Sequence, residues 1–218
     1  MRVGVKFSRT GLAKFLSHLD LQDIFSRAVR RANLPAKYSE GFHPHMNLSF
    51  ASAMAVGLET EGDYFEFQSV ADFDLLRAQQ ALNASLPDGF SISAMGILPE
   101  KVGKLMAIAV RAEYELTGLG DAFFAWLEDL LAQERYLVQK ERKGKVREMD
   151  LRALIFEAET GEKTRLLLGN FGAETLTPKF LLEQAAKKIG PMGPVRVVRK
   201  EMYALEDGEL KALYELFL

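Results

Sequence analysis

The chain has 218 residues, which is enough for one large domain or two small ones with a real core. It contains no cysteine, and this excludes disulfides, iron–sulfur clusters and thiol catalysis within the chain. No apolar run approaches the roughly 18 residues of a membrane span, and the N-terminus lacks a basic-then-apolar signal segment. We therefore expect a soluble, cytoplasmic protein without a cofactor of its own.

The nearly balanced charge, with 28 basic and 30 acidic residues, hides an uneven distribution along the chain. Residues 1–37 carry eight Lys or Arg and two acids, a net of +6, whereas residues 38–100 carry one basic residue and nine acids, a net of −8. This segregation favours a polarised surface, with a chance distribution as the alternative.

The first hundred residues alternate between strand and helix patterns. Ser17 and Asp20 form a capping box ahead of an apolar stripe with spacings of three and four, which predicts a helix over 17–33. The other predicted elements are strands at Arg2–Ser8, Met46–Ala53, Tyr64–Val70 and Phe90–Ile97, and a helix from Asp72 to Leu86. The order β-α-β-β-α-β is that of a split-βαβ, or ferredoxin-like, unit.

A predicted linker at 99–104 precedes a second series of elements. The series comprises a strand at Ile108–Thr117, a helix from Asp121, a hairpin of Tyr136–Lys140 and Val146–Leu154, a strand at Arg165–Leu168, a helix from Thr177 to Gly190, a strand at Val195–Tyr203 and a closing helix at Glu209–Leu218. We therefore predict an α+β protein of two tandem ferredoxin-like units with antiparallel sheets, at residues 1–100 and 105–218.

All three histidines fall within 15–50. Gly41 and Pro44 mark a turn-rich loop that leads into an alternating strand pattern, while His18 begins the helix after Ser17. Because a helix start and a strand start can meet at one edge of a small α+β unit, this arrangement would bring His18, Asp20 and His45 together.

This stretch resembles the radical-SAM-linked family, a domain of unknown function found beside, or fused to the C-terminus of, B12-binding radical-SAM proteins. The matching residues are Leu16 to Asp20, Arg27, Arg30-Arg31, Leu34-Pro35, Tyr38-Ser39, Gly41-Phe42, Pro44-His45, Leu48 to Phe50, Gly57 and Glu61 to Tyr64. Weaker similarity continues through Asp150 and Arg199 to Tyr203, so the resemblance spans nearly the whole chain. It implies a radical-SAM protein as partner and no settled activity. His43 and Met46 depart from the family's asparagine and proline, so we discount His43 as a functional residue.

The distribution of basic residues leads us to predict that the protein binds tRNA or rRNA, and the resemblance implies that it does so as an accessory to a radical-SAM enzyme. Arginines on the helix and a basic hairpin could contact phosphates, and the aromatic rings of Tyr38 and Phe42 could stack on bases. The candidate RNA-binding residues are Arg27, Arg30, Arg31, Lys37, Phe42, Lys140, Arg142, Lys143, Lys145 and Arg147. The alternatives are a solvated charged hairpin and a Phe42 that belongs to the core.

Three further interpretations stay open, and the sequence does not decide whether the protein is an enzyme. His18 and His45 could act as general acid and base, as in a ribonuclease, a reading that a fold analogy with CRISPR repeat-cleaving endoribonucleases also suggests. A metal site of His18, Asp20, His43 and His45 is less favoured, because two positions two apart on a helix diverge by roughly 200°. The protein could instead be a docking module, although we expect the apolar tail near Phe217 to pack on the second unit.

Overall fold

The computed structural model describes residues 1–53, 55–142 and 144–218, and the chain there is an α+β protein. Its described strands are β1 (Arg2–Arg9), β2 (Leu48–Phe50), β3 (Glu59–Gln68), β4 (Phe90–Leu98), β5 (Ala109–Thr117), β6 (Leu137–Arg142), β7 (Lys145–Asp150), β8 (Ile155–Glu159), β9 (Lys163–Gly169), β10 (Arg196–Glu206) and β11 (Glu209–Ala212). Five α-helices lie within the same residues: α1 (His18–Arg31), α2 (Leu75–Ser85), α3 (Leu105–Ile108), α4 (Asp121–Ala132) and α5 (Pro178–Ile189). Not one of these described helices has the length and apolar character needed to cross a membrane.

The chain divides into two compact units, and the division differs from the predicted one. Residues 1–109 and 201–218 form the first unit, and residues 110–200 form the second. The sequence prediction assigned 201–218 to the second unit. These residues belong with the first because the second half of β10 and the C-terminal segment pack against β1 and β3.

In the first unit, β1 pairs antiparallel with both β3 and β4, and β2 pairs with β3, which gives the order β4-β1-β3-β2. Helices α1 and α2 bury their apolar residues against one face of this sheet. The core is rich in aromatic rings: Phe7 and Phe25 have centroids 4.6 Å apart, and Phe25 lies 4.7 Å from Phe65. Tilted rings at these separations are a favourable packing arrangement.

The C-terminal segment of the first unit covers a pair of glycines on its sheet. Here β11 is followed by a 3-10 helix at Leu213–Leu216, so the predicted closing helix at Glu209–Leu218 is wrong. Phe217 packs over Gly4 and Gly96 and meets the ring of Tyr64 edge-on at 6.3 Å. The tail therefore packs on the first unit, and the expectation that it covers the second is also wrong.

In the second unit, β5 pairs antiparallel with β9 and β9 with β8, while β6 and β7 form a separate two-stranded hairpin. The hydroxyl of Thr177 accepts a hydrogen bond from the Phe180 amide at the start of α5. At the other end, Gly190 has φ +88°, a backbone region that glycine adopts without steric cost. Both ends of this helix agree with the sequence prediction.

Hydrogen bonds connect the described strands other than β6 and β7 into one mixed, nine-stranded sheet. Its order is β4-β1-β3-β10-β5-β9-β8, with β2 paired to β3 and β11 paired to β10. The α+β class is thus confirmed. Two separate tandem sheets are not evident, because β10 contributes residues to both units.

Several boundaries move once long-range contacts are considered. The helix α2 is capped by Asp74, whose side chain accepts a hydrogen bond from the Arg77 amide, rather than by Asp72. Strand β3 begins at Glu59, five residues earlier than predicted, because charged residues in its first half hide a strand that is mostly buried. The helix α3 and the strand β8 were not predicted.

Candidate functional site

The loop at 39–45 is held at its base by hydrogen bonds. The Ser39 amide donates to the His45 carbonyl at 2.8 Å, and the His45 amide donates to the Ser39 hydroxyl at 3.0 Å. Tyr38 and Met46, which flank this pair on the side away from the loop tip, form an isolated β-bridge. The Lys37 amide bonds to the Gln68 carbonyl at 2.7 Å, which fastens the base of the loop to β3. The loop therefore projects from a fixed base.

Phe42 occupies this loop with its side chain entirely in solvent, at a relative exposure of 102%. The alternative that it belongs to the core is wrong. Lys37, His43 and His45 are exposed as well. Tyr38, by contrast, is half-buried against the core of the first unit, so it is not available as a second open stacking surface.

The two histidines of the catalytic hypothesis have different surroundings. The His18 ring meets the Phe50 ring at 5.1 Å with an interplanar angle of 66°, and Phe50 is the last residue of β2. His45 comes five residues earlier, at the base of the loop, and the Leu48 amide donates to the Met46 carbonyl at 2.8 Å in the segment between them. The helix start therefore lies beside the end of β2, and the meeting of His18 with His45 stays a prediction.

Asp20 is part of the helix cap that the sequence predicts. Its carboxylate accepts from the Ser17 amide at 2.8 Å, and its own amide donates to the Ser17 hydroxyl at 3.2 Å. Hydrogen bonds to the carboxylate from the Ser17 hydroxyl and the Ser17 amide lower the pKa of Asp20. Within the described residues, no group of three or more His, Asp or Glu is arranged to hold a metal ion.

The three arginines of α1 have different surroundings. Arg27 pairs with Asp23 one turn earlier at 3.7 Å, with both side chains exposed. Arg31 donates to the carbonyl of Ser85 at the end of α2. Arg30 is exposed, and among the described residues none makes a hydrogen bond or ion pair with its guanidinium. Arg27 and Arg31 border an open depression of about 330 Å³ together with Ile24, Ser85, Leu86 and Pro87.

In the second unit, the register of the hairpin groups its basic positions. In the backbone register, Lys140 pairs with Arg147 and Arg142 with Lys145. As cross-strand partners, Lys140 and Arg147 lie on one face of the ribbon. Lys140 is partly engaged, since its ammonium donates to the Thr175 carbonyl at 3.0 Å and lies 5.0 Å from the centre of the Phe180 ring. Arg147 is exposed. Lys143 lies outside the described residues.

Sequence reasoning missed Arg9, the largest fully buried side chain of the described residues. Its guanidinium donates to the carbonyls of Leu16, Ala55 and Leu58 at 3.0–3.3 Å. A single arginine at the end of a strand gives no sign of burial in the sequence. The sequence indicates the burial of Arg9 only indirectly, through the acidic segment that begins at Glu59 and must lie close to Arg9.

These features describe an α+β protein whose first unit carries a braced loop with an exposed aromatic ring and several exposed cationic side chains nearby in sequence. The chain belongs to the DUF2344 family of uncharacterized proteins conserved in bacteria, whose model matches residues 2–186. No curated protein matches it.

Proposed function

We propose that this protein binds single-stranded RNA, a segment of tRNA or rRNA, and acts as an accessory to a radical-SAM enzyme that modifies it. The exposed ring of Phe42 on a loop with a fixed base is the observation that carries the RNA proposal. The radical-SAM partner rests on the resemblance of the 15–50 region to the radical-SAM-linked family.

A partner that covers the fully solvated ring of Phe42 removes apolar surface from water, which is favourable. Every nucleobase offers a flat face to an aromatic ring, and such stacking contributes about 1–3 kcal/mol per base. The hydrogen bonds between Ser39 and His45 fix the base of the loop, which reduces the ordering entropy that is lost when a base stacks on Phe42. These properties suit an unpaired base better than a duplex, whose bases are already stacked.

Exposed cations in the same segment add contacts for the backbone of the nucleic acid. Lys37 stands just before the loop, and His45 lies at its base. Lysine binds phosphate as a point charge, and an imidazole N–H can donate a hydrogen bond to a phosphate oxygen. Arg30 on α1 is a further exposed side chain that can donate hydrogen bonds to phosphate oxygens. The Arg31 side chain already donates to the Ser85 carbonyl.

The hairpin of the second unit supplies an independent basic surface. Its backbone register pairs Lys140 with Arg147 and Arg142 with Lys145, and Lys140 and Arg147 share one face of the ribbon. A ribbon of this kind can follow a sugar-phosphate backbone. We treat it as a second set of contacts, with Arg147 as its most accessible described member.

We also propose that each unit is a split-βαβ arrangement. In the first unit, the strand order β4-β1-β3-β2 with antiparallel neighbours supports this proposal. In the second, the order β10-β5-β9-β8 supports the same arrangement, with the β6-β7 hairpin inserted after α4.

The test measures binding of a fluorescein-labelled single-stranded RNA of mixed sequence by anisotropy, at two salt concentrations. We expect Phe42→Ala to weaken binding about tenfold or more, and Phe42→Trp to retain it. Arg30→Glu should weaken binding and reduce the steepness of its salt dependence. Leu76→Ala, which removes another exposed apolar side chain of the first unit, is the matched control.

Unchanged affinity in Phe42→Ala, with the wild-type protein still binding, would overturn the role of the loop. No binding by the wild-type protein would overturn the RNA proposal itself. The same samples, run on a denaturing gel with and without chelator, test the enzyme alternative. We expect intact RNA, whereas cleavage that disappears in His18→Ala and His45→Ala would replace the binding proposal with a ribonuclease.

A further inference from the structure

Four large apolar side chains stand in solvent in three neighbouring segments of the first unit. Leu12 is 85% exposed, Phe15 59%, Leu19 72% and Val56 57%. Leu12 and Phe15 belong to the 3-10 helix at Gly11–Phe15, Leu19 to the first turn of α1, and Val56 to the loop before β3. We call these four residues the apolar patch.

Backbone geometry and hydrogen bonds bring the three segments together. Residues three apart lie on the same side of a 3-10 helix, so Leu12 and Phe15 share a face. The Gly57 amide donates to the Lys14 carbonyl at 2.8 Å, which joins the Val56 loop to the 3-10 helix. Arg9 bridges the same loop to the start of α1 through the carbonyls of Ala55, Leu58 and Leu16.

Holding the patch in place requires a buried cation. Arg9 is completely buried, and burying a guanidinium is costly unless hydrogen bonds and charges compensate it. Lys14 adds a second connection through its ion pair with the buried Glu59 at 3.1 Å. These connections hold the 3-10 helix and the loop before β3 in place. Phe15 and Val56 therefore stay exposed, although moving them into the core would remove their side chains from water.

The charges beside the patch are acidic. Asp20 follows Leu19 directly and is exposed. Asp88 is exposed next to Gly89, whose carbonyl accepts from the Thr10 amide beside the 3-10 helix. The ammonium of Lys14 lies 5.5 Å from the centre of the Phe15 ring, and its charge is compensated by the ion pair with Glu59. Phosphates would be repelled here, and two copies of the chain would place carboxylates against carboxylates.

We propose that the apolar patch is a docking surface for an amphipathic segment of a protein partner that carries lysine or arginine beside its apolar residues. The apolar side chains provide the buried area, and Asp20 and Asp88 select a cationic partner. This interaction is separate from RNA binding, which uses the loop of Phe42. A protein with both surfaces could hold an RNA and a protein partner at once.

The probe is a labelled synthetic peptide of leucine and lysine with helical spacing, and its control peptide has glutamate in place of lysine. We expect the leucine–lysine peptide to bind the wild-type protein and the glutamate peptide not to bind. The double variant Phe15→Ser and Leu19→Ser should weaken binding at least about tenfold. The double variant Val70→Ser and Leu76→Ser, which changes equally exposed residues of the same unit, should bind as wild type.

Val56→Ser, a change in a different segment, gives a second measurement if the double variant of the patch does not fold. RNA affinity should stay unchanged in every patch variant, so failure here is distinguishable from failure of the RNA proposal. Equal binding of both peptides, or equal loss in patch and control variants, would overturn the inference. Sedimentation that shows a wild-type dimer lost in the patch variants would also overturn it, because a second copy would then be the occupant.

Discussion

Gly4 and Gly96 face each other across β1 and β4, and Phe217 fills the space that their missing side chains leave. A β-carbon on Gly4 would lie 2.6 Å from the ring of Phe217. A β-carbon on Gly96 would overlap the carbonyl oxygen of Phe217. The two glycines therefore accept different parts of one residue, the ring in one case and the backbone in the other.

This difference predicts a specific pattern of rescue. We expect Gly4→Ala and Gly96→Ala each to lower the free energy of unfolding by about 1–3 kcal/mol, because each forces Phe217 away from the sheet. Adding Phe217→Ala should relieve the strain of Gly4→Ala, since it removes the ring. It should not relieve Gly96→Ala, since the carbonyl stays. Urea denaturation of the single and double variants measures both couplings.

Gly193→Ala is the control, because a β-carbon there has no atom within 4 Å and φ is not positive. Its stability should match wild type. Equal rescue of both glycine variants by Phe217→Ala would contradict the assigned contacts.

Local chemistry explains the part of the fold that sequence could predict. The cap at Ser17 and Asp20 and the helix bounded by Thr177 and Gly190 depend on residues within a few positions of one another. Their hydrogen bonds are therefore encoded in a short window of sequence.

The C-terminal segment shows why the rest of the fold was not predicted. Residues 209–218 have helical spacing in the sequence. In the structure, however, β11 pairs with β10. Phe217 packs over Gly96, which is more than a hundred residues earlier in the chain, and over Gly4, which is more than two hundred residues earlier. No pattern within residues 209–218 indicates that these two glycines leave space for Phe217. Long-range packing overrode the local preference, as it commonly does in short terminal segments.

The residues of the candidate site were chosen from the sequence by their type, and their role in RNA binding stays a prediction. The basic and aromatic residues could be named from sequence, and Phe42 is exposed as stacking requires. The side chains of His18 and Arg31 were assigned roles by proximity in sequence, yet the first lies against Phe50 and the second against Ser85. Burial of Arg9 depended on three carbonyls from two distant segments.

Arg31 and Arg30 should behave differently when shortened. Arg31→Ala removes the donor to the Ser85 carbonyl at the end of α2, so we expect a loss of about 0.5–1.5 kcal/mol in stability. Arg30→Ala removes only an exposed side chain, and its thermal midpoint should match wild type. Thermal denaturation of both variants provides the comparison, and equal loss in the two would contradict the assigned role of Arg31.

The cap of α1 predicts a specific dependence on acid. Hydrogen bonds from the Ser17 hydroxyl and backbone lower the pKa of Asp20 below its ordinary 3.8. A carboxyl with a lowered pKa stabilises the fold above pH 3.8 and loses this contribution as pH falls through its folded pKa. Asp20→Asn should therefore be less stable at neutral pH and show a shallower loss below pH 3.8 than wild type.

Ser17→Ala is the companion variant, and it should cost about 1 kcal/mol at neutral pH because the Asp20 amide loses its acceptor. Urea denaturation at several pH values measures both effects. Parallel pH profiles for wild type and Asp20→Asn would show that the cap makes no pH-dependent contribution.

Asp150 should hold the base of the hairpin in the second unit. Its carboxylate accepts from the Tyr136 amide at 3.0 Å, from the Arg152 amide at 3.1 Å and from Arg135 at 3.1 Å. Asp150→Ala leaves two backbone donors without this acceptor, and we expect a loss of about 1–3 kcal/mol. Amide exchange should quicken at Tyr136 and Arg152 first. In Glu148→Ala, an exposed acid of the same strand, neither amide should change.

Arg9 gives the sharpest test of how the first unit is held together. Arg9→Lys keeps the charge but replaces a fork of donors with one ammonium, which cannot reach the carbonyls of Leu16, Ala55 and Leu58 together. We expect a loss of about 3 kcal/mol, because buried carbonyls lose their donors. The Gly57 amide, bonded to the Lys14 carbonyl, should exchange faster as the loop before β3 loosens. The apolar patch would then lose its arrangement, so Arg9→Lys should also weaken the leucine–lysine peptide without touching any patch residue. Arg30→Lys, an equal change at an exposed position, is the control, and wild-type stability and exchange in Arg9→Lys would refute this account.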